Sequence, residues 1–282
     1  MMTTLLFPGQ GSQAQGMGMG EGLWEKFPEY VAQADEILGY SIRELCESDD
    51  GRLNQTCFTQ PALYVVSSLQ YLEWLEGASG DADYAAGHSV GEYSALFAAG
   101  YVDFGDGLRM VQKRGELMHQ QSGGGMAAVL GMNLKAVEQV LKDNPALGGV
   151  DLANINAPEQ IVLSGKKEDI EQAQATFEAA GARRFVVLNV SGAFHSRYMQ
   201  DPGQEFSDHI QDVEFKEPKF PVISNLEAKP YELDRAQDLL VKQIFSPVQW
   251  VDSILFLRSL GEMEFLELGP GKVLTGLLRR IR

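Results

Sequence analysis

"AAGHSVGEYSALFAAG", residues 85–100, decides how the rest of the chain is read. Short apolar residues lead into Ser89, which sits between Gly87 and Gly91, and an alanine-rich run leads out. That order predicts strand, turn and helix. A G-x-S-x-G turn in this setting is a nucleophile elbow. Its glycines permit the strained turn and the close approach of strand and helix, and the serine hydroxyl stands above the end of the sheet. The N–H of Val90, at the helix N-terminus, then points toward a developing oxyanion. A serine here also suits plain helix capping, so the pattern alone leaves both readings of Ser89 open.

Working outward, "TTLLFPGQG" predicts a short buried strand, Thr3 to Phe7, ending in a Pro/Gly turn. Helical patterns cover about 24–38 and 41–46. "FTQPALYVVSSLQYLEWLEG" predicts a long buried helix with Pro61 in its first turn and Gly77 at its end. A further helix covers about 104–119. Strands alternating with helices indicate an α/β domain with a parallel sheet. At "SGGG", residues 122–125, the pattern changes. The order becomes βαββαβ, the split βαβ or ferredoxin-like module, and it fits residues 126–190. The expectation is a small subdomain, 126–190, inserted into a larger one made of 1–122 and 192–282. The alternative is one continuous α/β sheet. The last third predicts a helix from about Pro202 to Gln211, a strand at "KFPVISN", helical structure broken at Pro247, and a closing strand, Gly-Pro-Gly turn and helix.

Composition excludes several classes. The 282 residues are 44% apolar, enough for a sizeable core. No apolar run approaches the roughly eighteen residues that span a bilayer, and "MMTTLLFPGQGSQ" does not read as a secretory signal. Cys46 and Cys57 have no metal spacing and are expected to be free thiols in a reducing cytoplasm. A formal net charge of −16 argues against nonspecific nucleic-acid binding and against anionic membranes as partners. No motif calls for a metal or a bound cofactor.

A nucleophilic serine needs a base. His88 adjoins Ser89, and neighbouring side chains diverge on an elbow. His119 ends a helix and His209 lies in a polar helical stretch; both read as surface residues. His195, in "SGAFHS", follows a predicted strand, where sheet-end loops carry chemistry, and the order Ser then His matches the α/β-hydrolase order. No third triad member stands out among Asp151, Asp201 and Glu205: either another carboxylate or a backbone carbonyl orients the imidazole. Arg114 lies on a mainly apolar helix and suits a two-pronged pair with a carboxylate, either the substrate's or a protein acid such as Glu116.

"FPGQGSQ", "GHSVGEYSAL", "QKRGELM", "NINAPEQIVLSG", "GAFHS", "PVQW" and "ELGPGKVLTGL", in order over nearly the whole chain, resemble malonyl-CoA:acyl-carrier-protein transacylases. The resemblance implies an α/β-hydrolase-like large subdomain with a ferredoxin-like insertion. It implies that malonyl-CoA acylates Ser89, that His195 is base and then acid, and that the N–H groups of Gln10 and Val90 form the oxyanion hole. Arg114 would hold the malonyl carboxylate, and Gln249 would orient His195 through its main-chain carbonyl. Phe194 would crowd a 2-methyl branch and favour malonyl over methylmalonyl. The acceptor would be the phosphopantetheine thiol of a holo acyl carrier protein. "GYSIRELC" and "LNQTCFTQPALYVVSSLQY" look most like the free-standing acyltransferases that serve polyketide synthases in trans. The housekeeping enzyme of fatty-acid synthesis and an acyl hydrolase using the same Ser–His pair are the alternatives. Carrier docking is expected on basic groups drawn from Lys166, Lys167, Arg183, Arg184, Lys272, Arg279 and Arg280. Pro202 and Gly203 depart from the uninterrupted helix usual in this family.

Overall fold

In the computed structural model, which describes residues 1–20 and 22–282, the chain begins with β1 (Met2–Phe7), α1 (Leu23–Lys26), α2 (Pro28–Leu38), α3 (Ile42–Glu47) and α4 (Thr56–Gly77). It continues through β2 (Tyr84–Gly87), α5 (Gly91–Ala99) and α6 (Phe104–Gln120). Then come β3 (Gly124–Leu130), α7 (Leu134–Asp143), β4 (Val150–Ala157), β5 (Gln160–Lys166), α8 (Lys167–Ala179) and β6 (Arg184–Val187). The last elements are α9 (Gln200–Ile210), β7 (Val222–Ile223), α10 (Ala236–Gln243), α11 (Trp250–Ser259), β8 (Met263–Glu267) and α12 (Val273–Leu278).

Two sheets form, of opposite kinds. One is wholly parallel, in the order β7-β2-β1-β8. Its central strands are apolar on both faces: Leu5, Leu6, Phe7, Ala85 and Ala86 are buried, as expected of a sheet covered by helices on each side. The second sheet is antiparallel, in the order β4-β5-β3-β6, and it has its own core of Val129, Ile161, Leu163, Ile170, Phe177 and Phe185. The chain enters this sheet after α6 and leaves it at β6, from which a connection runs to α9. No helix among the described residues is long and apolar enough to cross a membrane.

Local departures from the pattern have local causes. The stretch expected as one helix over 24–38 is two, because Pro28 cannot donate into a preceding turn and Phe27 takes φ −126° and ψ 56° between them. Pro61 is not in the first turn of its helix. α4 starts at Thr56 and carries Pro61 inside it, losing one backbone bond in a helix held by tertiary burial from Thr59 to Leu69. "KFPVISN" yields only the two-residue β7, after which Ser224 and Asn225 turn into the site. Pro202 sits in the first turn of α9, where a missing N–H costs little. Gly203 is needed there because a Cβ would stand 2.6 Å from the Phe245 ring.

Candidate active site

The elbow forms where β2 ends and α5 begins. Ser89 holds φ 53°, the left-handed region, which a residue with a Cβ adopts at a cost of order 1–3 kcal/mol. Both flanking glycines are required. A Cβ on Gly87 would lie 2.0 Å from the Gly91 carbonyl carbon, and one on Gly91 would lie 2.1 Å from Phe7 O. The strained residue is held through both of its backbone polar groups. Its N–H donates to Asn225 Oδ1 (2.7 Å), and its carbonyl accepts from Gln243 Nε2 (2.9 Å).

His195 is the second non-glycine residue in that region, at φ 57°. Its Nε2 stands 2.7 Å from Ser89 Oγ, and its Nδ1 stands 2.8 Å from the main-chain carbonyl of Gln243. A carbonyl only accepts, so Nδ1 carries the proton and Nε2 presents its lone pair to the serine hydroxyl. The orienting group is thus a backbone carbonyl, and it belongs to Gln243, not Gln249. The Gln249 carbonyl accepts from the Ser253 hydroxyl (2.8 Å) and N–H (3.0 Å) at the start of α11 and has no part in holding the imidazole. Burial, with the Arg114 charge beside it, pushes His195 down to about 3, so the imidazole is neutral at pH 7. Asp151 pairs instead with Arg197, whose Nε donates to Oδ2 at 2.9 Å, while Asp201 and Glu205 are exposed. Of the other histidines, His88 is half-buried with Nε2 2.7 Å from Asn156 Oδ1. His209 is exposed and His119 half-buried, so only the first is a surface residue.

Arg114 is fully buried, not a surface residue paired with Glu116. Its Nη1 donates to Gln60 Oε1 (2.6 Å); its Nη2 donates to Gln243 Oε1 (2.8 Å) and to Ser89 Oγ (3.1 Å). The Tyr93 ring centroid lies 5.6 Å from the guanidinium carbon, within cation–π range. Burial lowers the guanidinium's affinity for its proton, against the opposing pull of Tyr93 and Glu92. Among the described residues no carboxylate pairs directly with this cation, which touches the hydroxyl that faces the base.

Beneath the elbow lies an acid that the sequence reading passed over. Glu92 is fully buried. Its Oε1 accepts from the Tyr231 hydroxyl (2.6 Å) and the Asn225 N–H (2.9 Å), and its Oε2 accepts from Gln243 Nε2 (2.6 Å). Burial pushes this carboxyl up to about 7 despite those donors and the Arg114 charge. Asn225, Gln243 and Gln60 are likewise partners absent from the sequence reading.

A cavity of about 100 Å³ opens on Ser89, bounded by Gln10, Val90, Phe194, His195, Met118, Met126 and Leu188 among others. Liquid water would fill it with about three molecules, so it suits a small acyl group. Phe194 is buried, its ring lying on Gly192 where a Cβ would meet it at 2.3 Å. Among the described residues, neither the Gln10 N–H nor the Val90 N–H donates to a protein acceptor. No group of three or more His, Cys, Asp or Glu among the described residues is arranged to hold a metal ion. The seven basic residues from Lys166 to Arg280 named above are all exposed. A hydroxyl that faces a neutral imidazole and opens on a small cavity, backbone donors at its rim and a buried cation touching that hydroxyl from behind are parts suited to transfer of a small acyl group.

Residues 4–280 match the family described as the acyl transferase domain. The chain is 53% identical over its whole length to the polyketide biosynthesis malonyl CoA-acyl carrier protein transacylase PksC of Bacillus subtilis (strain 168), covering 97% of that protein. It is also 53% identical to the polyketide biosynthesis protein PksE of the same organism, of which it spans only 36%. Among solved structures, it matches a malonyl-transacylase determined in complex with its type II polyketide synthase acyl-carrier protein, with a TM-score of 0.93 and 36% identity, covering 100% of this chain and 93% of that one.

Proposed function

Because the chain belongs to the acyl transferase domain family, we propose that it moves a malonyl group from malonyl-CoA to the phosphopantetheine thiol of an acyl carrier protein, in trans for a polyketide synthase. The observation that carries this reading is the single oxygen, Ser89 Oγ, that faces both the His195 lone pair at 2.7 Å and the Arg114 guanidinium at 3.1 Å.

His195 Nε2 takes the hydroxyl proton as Ser89 Oγ attacks the thioester carbonyl. The oxyanion accepts from the N–H groups of Gln10 and Val90. The tetrahedral intermediate collapses, the C–S bond breaks, and the imidazolium returns its proton to the departing CoA sulfur. The carrier's thiol then attacks the acyl-serine by the same steps in reverse, giving ping-pong exchange. Arg114 swings its free Nη2 donor from Ser89 Oγ to the malonyl carboxylate, since burying that charge without a cation is costly. Phe194 closes the cavity against a branch at C2. The carrier docks beside the segment 126–190, read as a subdomain inserted between 1–122 and 192–282. Lys166 and Tyr198 line a second cavity of about 260 Å³ there, next to Ala193. Free Cys46 and Cys57 support a cytoplasmic setting.

Intact-mass measurement after mixing with malonyl-CoA, then with a holo carrier protein, tests this. The expected adduct is malonyl, is absent from Ser89→Ala, and moves to the carrier. An adduct lost to water with no carrier acylation would replace the reading with a hydrolase. No adduct at all would remove it.

A further inference from the structure

We propose that Glu92 is a positioning residue for acyl selection: its carboxylate fixes the direction of the Gln243 side-chain amide, and that amide aims Arg114 at the acyl group. The inference rests on the malonyl-transfer reading above.

The argument is one of donors and acceptors. An ionised carboxylate only accepts, and a guanidinium only donates. Between them lies one amide. Gln243 Nε2 donates to Glu92 Oε2 at 2.6 Å and to the Ser89 carbonyl at 2.9 Å, while Gln243 Oε1 accepts from Arg114 Nη2 at 2.8 Å. Turning the amide over would set its NH2 against the guanidinium and its oxygen against the carboxylate and the Ser89 carbonyl. In its ionised form Glu92 joins the Ser89 carbonyl and Arg114 in permitting one orientation. It is itself held by the Tyr231 hydroxyl and the Asn225 N–H, and Asn225 also takes the Ser89 N–H on its side-chain oxygen. The acid is fully buried, as are Gln243, Asn225 and Arg114, so water does not substitute for a missing partner. The imidazole is held by the Gln243 main-chain carbonyl instead, which the amide's direction does not alter. The side chain of Gln243 serves the arginine and steadies the Ser89 carbonyl, and its backbone serves the histidine.

The separation gives a test. Glu92→Gln keeps the volume and puts a second NH2 within reach of Gln243. Acylation of Ser89 is followed by intact mass with malonyl-CoA and with acetyl-CoA, which has no carboxylate for Arg114. The expected result is a fall of at least tenfold in the malonyl-to-acetyl ratio of kcat/KM, carried by KM for malonyl-CoA, with acetyl transfer changed less than threefold. Glu92→Asp, which keeps the charge but withdraws it by one methylene, should lower the same ratio and serves as the measured variant if Glu92→Gln does not fold. A general structural role would lower both substrates together. An unchanged ratio in a folded variant, or an equal loss with both substrates, overturns the proposal. The unsubstituted protein run alongside separates the two inferences: if it takes no malonyl group, the underlying reading fails, whereas an intact malonyl preference that survives Glu92→Gln fails this inference alone.

Discussion

Replacing Arg114 by methionine keeps most of its volume and removes its charge. Two consequences can be sized from the site. The first concerns folding. Gln60 Oε1 and Gln243 Oε1 lose their donors at 2.6 and 2.8 Å, and a buried acceptor left unsatisfied costs about 1–3 kcal/mol. Arg114→Met is therefore expected to lose about 2–6 kcal/mol of stability, at least several degrees in Tm for a chain of this size. The second concerns the reaction. A malonyl carboxylate buried without its cation costs about 3–5 kcal/mol, or roughly 10²- to 10⁴-fold in kcat/KM at 1.36 kcal/mol per decade. Acetyl-CoA carries no such charge and should change by less than about tenfold. Loss of the guanidinium also relieves part of what depresses His195, so the acid limb of the acetyl rate should move to higher pH. The assay is time-resolved intact mass of the acyl-enzyme with each thioester across pH. Equal loss with malonyl- and acetyl-CoA in a folded variant would refute the assignment of Arg114 to the carboxylate.

Gly91→Ala should fail to fold or lose more than about 4 kcal/mol, read by denaturant unfolding, because its Cβ meets Phe7 O at 2.1 Å and backbone cannot yield cheaply. Phe194→Ser should admit methylmalonyl-CoA, raising the methylmalonyl-to-malonyl ratio at least tenfold by intact mass; no change would show that the ring does not bound the C2 position. His195, held at about 3 when folded against an ordinary 6.5, contributes stability that is full above pH 6.5 and is lost as pH falls toward 3. Between pH 7 and 4.5 the protein should therefore lose about 2.5 kcal/mol more than His195→Gln does, measured from urea midpoints at both values.

The elbow was legible in sequence because everything it needs is local: two glycines that backbone contacts demand, a serine between them, a strand before and a helix after. His195 was legible from its place after a strand and from the order Ser then His. Arg114 was visible as a lone cation on an apolar helix face, but nothing local told a substrate partner from a protein acid; the structure places it buried beside Ser89 Oγ, not beside Glu116. The group that orients the imidazole was not legible as a residue. A main-chain carbonyl can come from any amino acid, so side-chain pattern carries no trace of it. The resemblance at "PVQW" points to Gln249, six residues beyond the carbonyl that faces His195 Nδ1. Glu92 left a signal that went unread: an acid on the otherwise apolar helix "GEYSALFAA" must be exposed or partnered, and it is fully buried. Asn225 left almost none, since it follows a strand of two residues. The split of the helix at 24–38 was signalled by Pro28, which marks a helix start rather than an interior.

The separation of Ser89 from its base has a consequence for how the protein is made. Ser89 and His195 are 106 positions apart, and the Gln243 amide that steadies the serine's carbonyl lies 154 positions beyond it. A ribosome delivers the serine first and the groups that activate it last. The growing chain thus exposes an ordinary alcohol for most of its synthesis and has nothing with which to open a thioester. On the function proposed above, Ser89 gains its base and its carbonyl partner only once residues 195 and 243 have been made and have closed over the elbow.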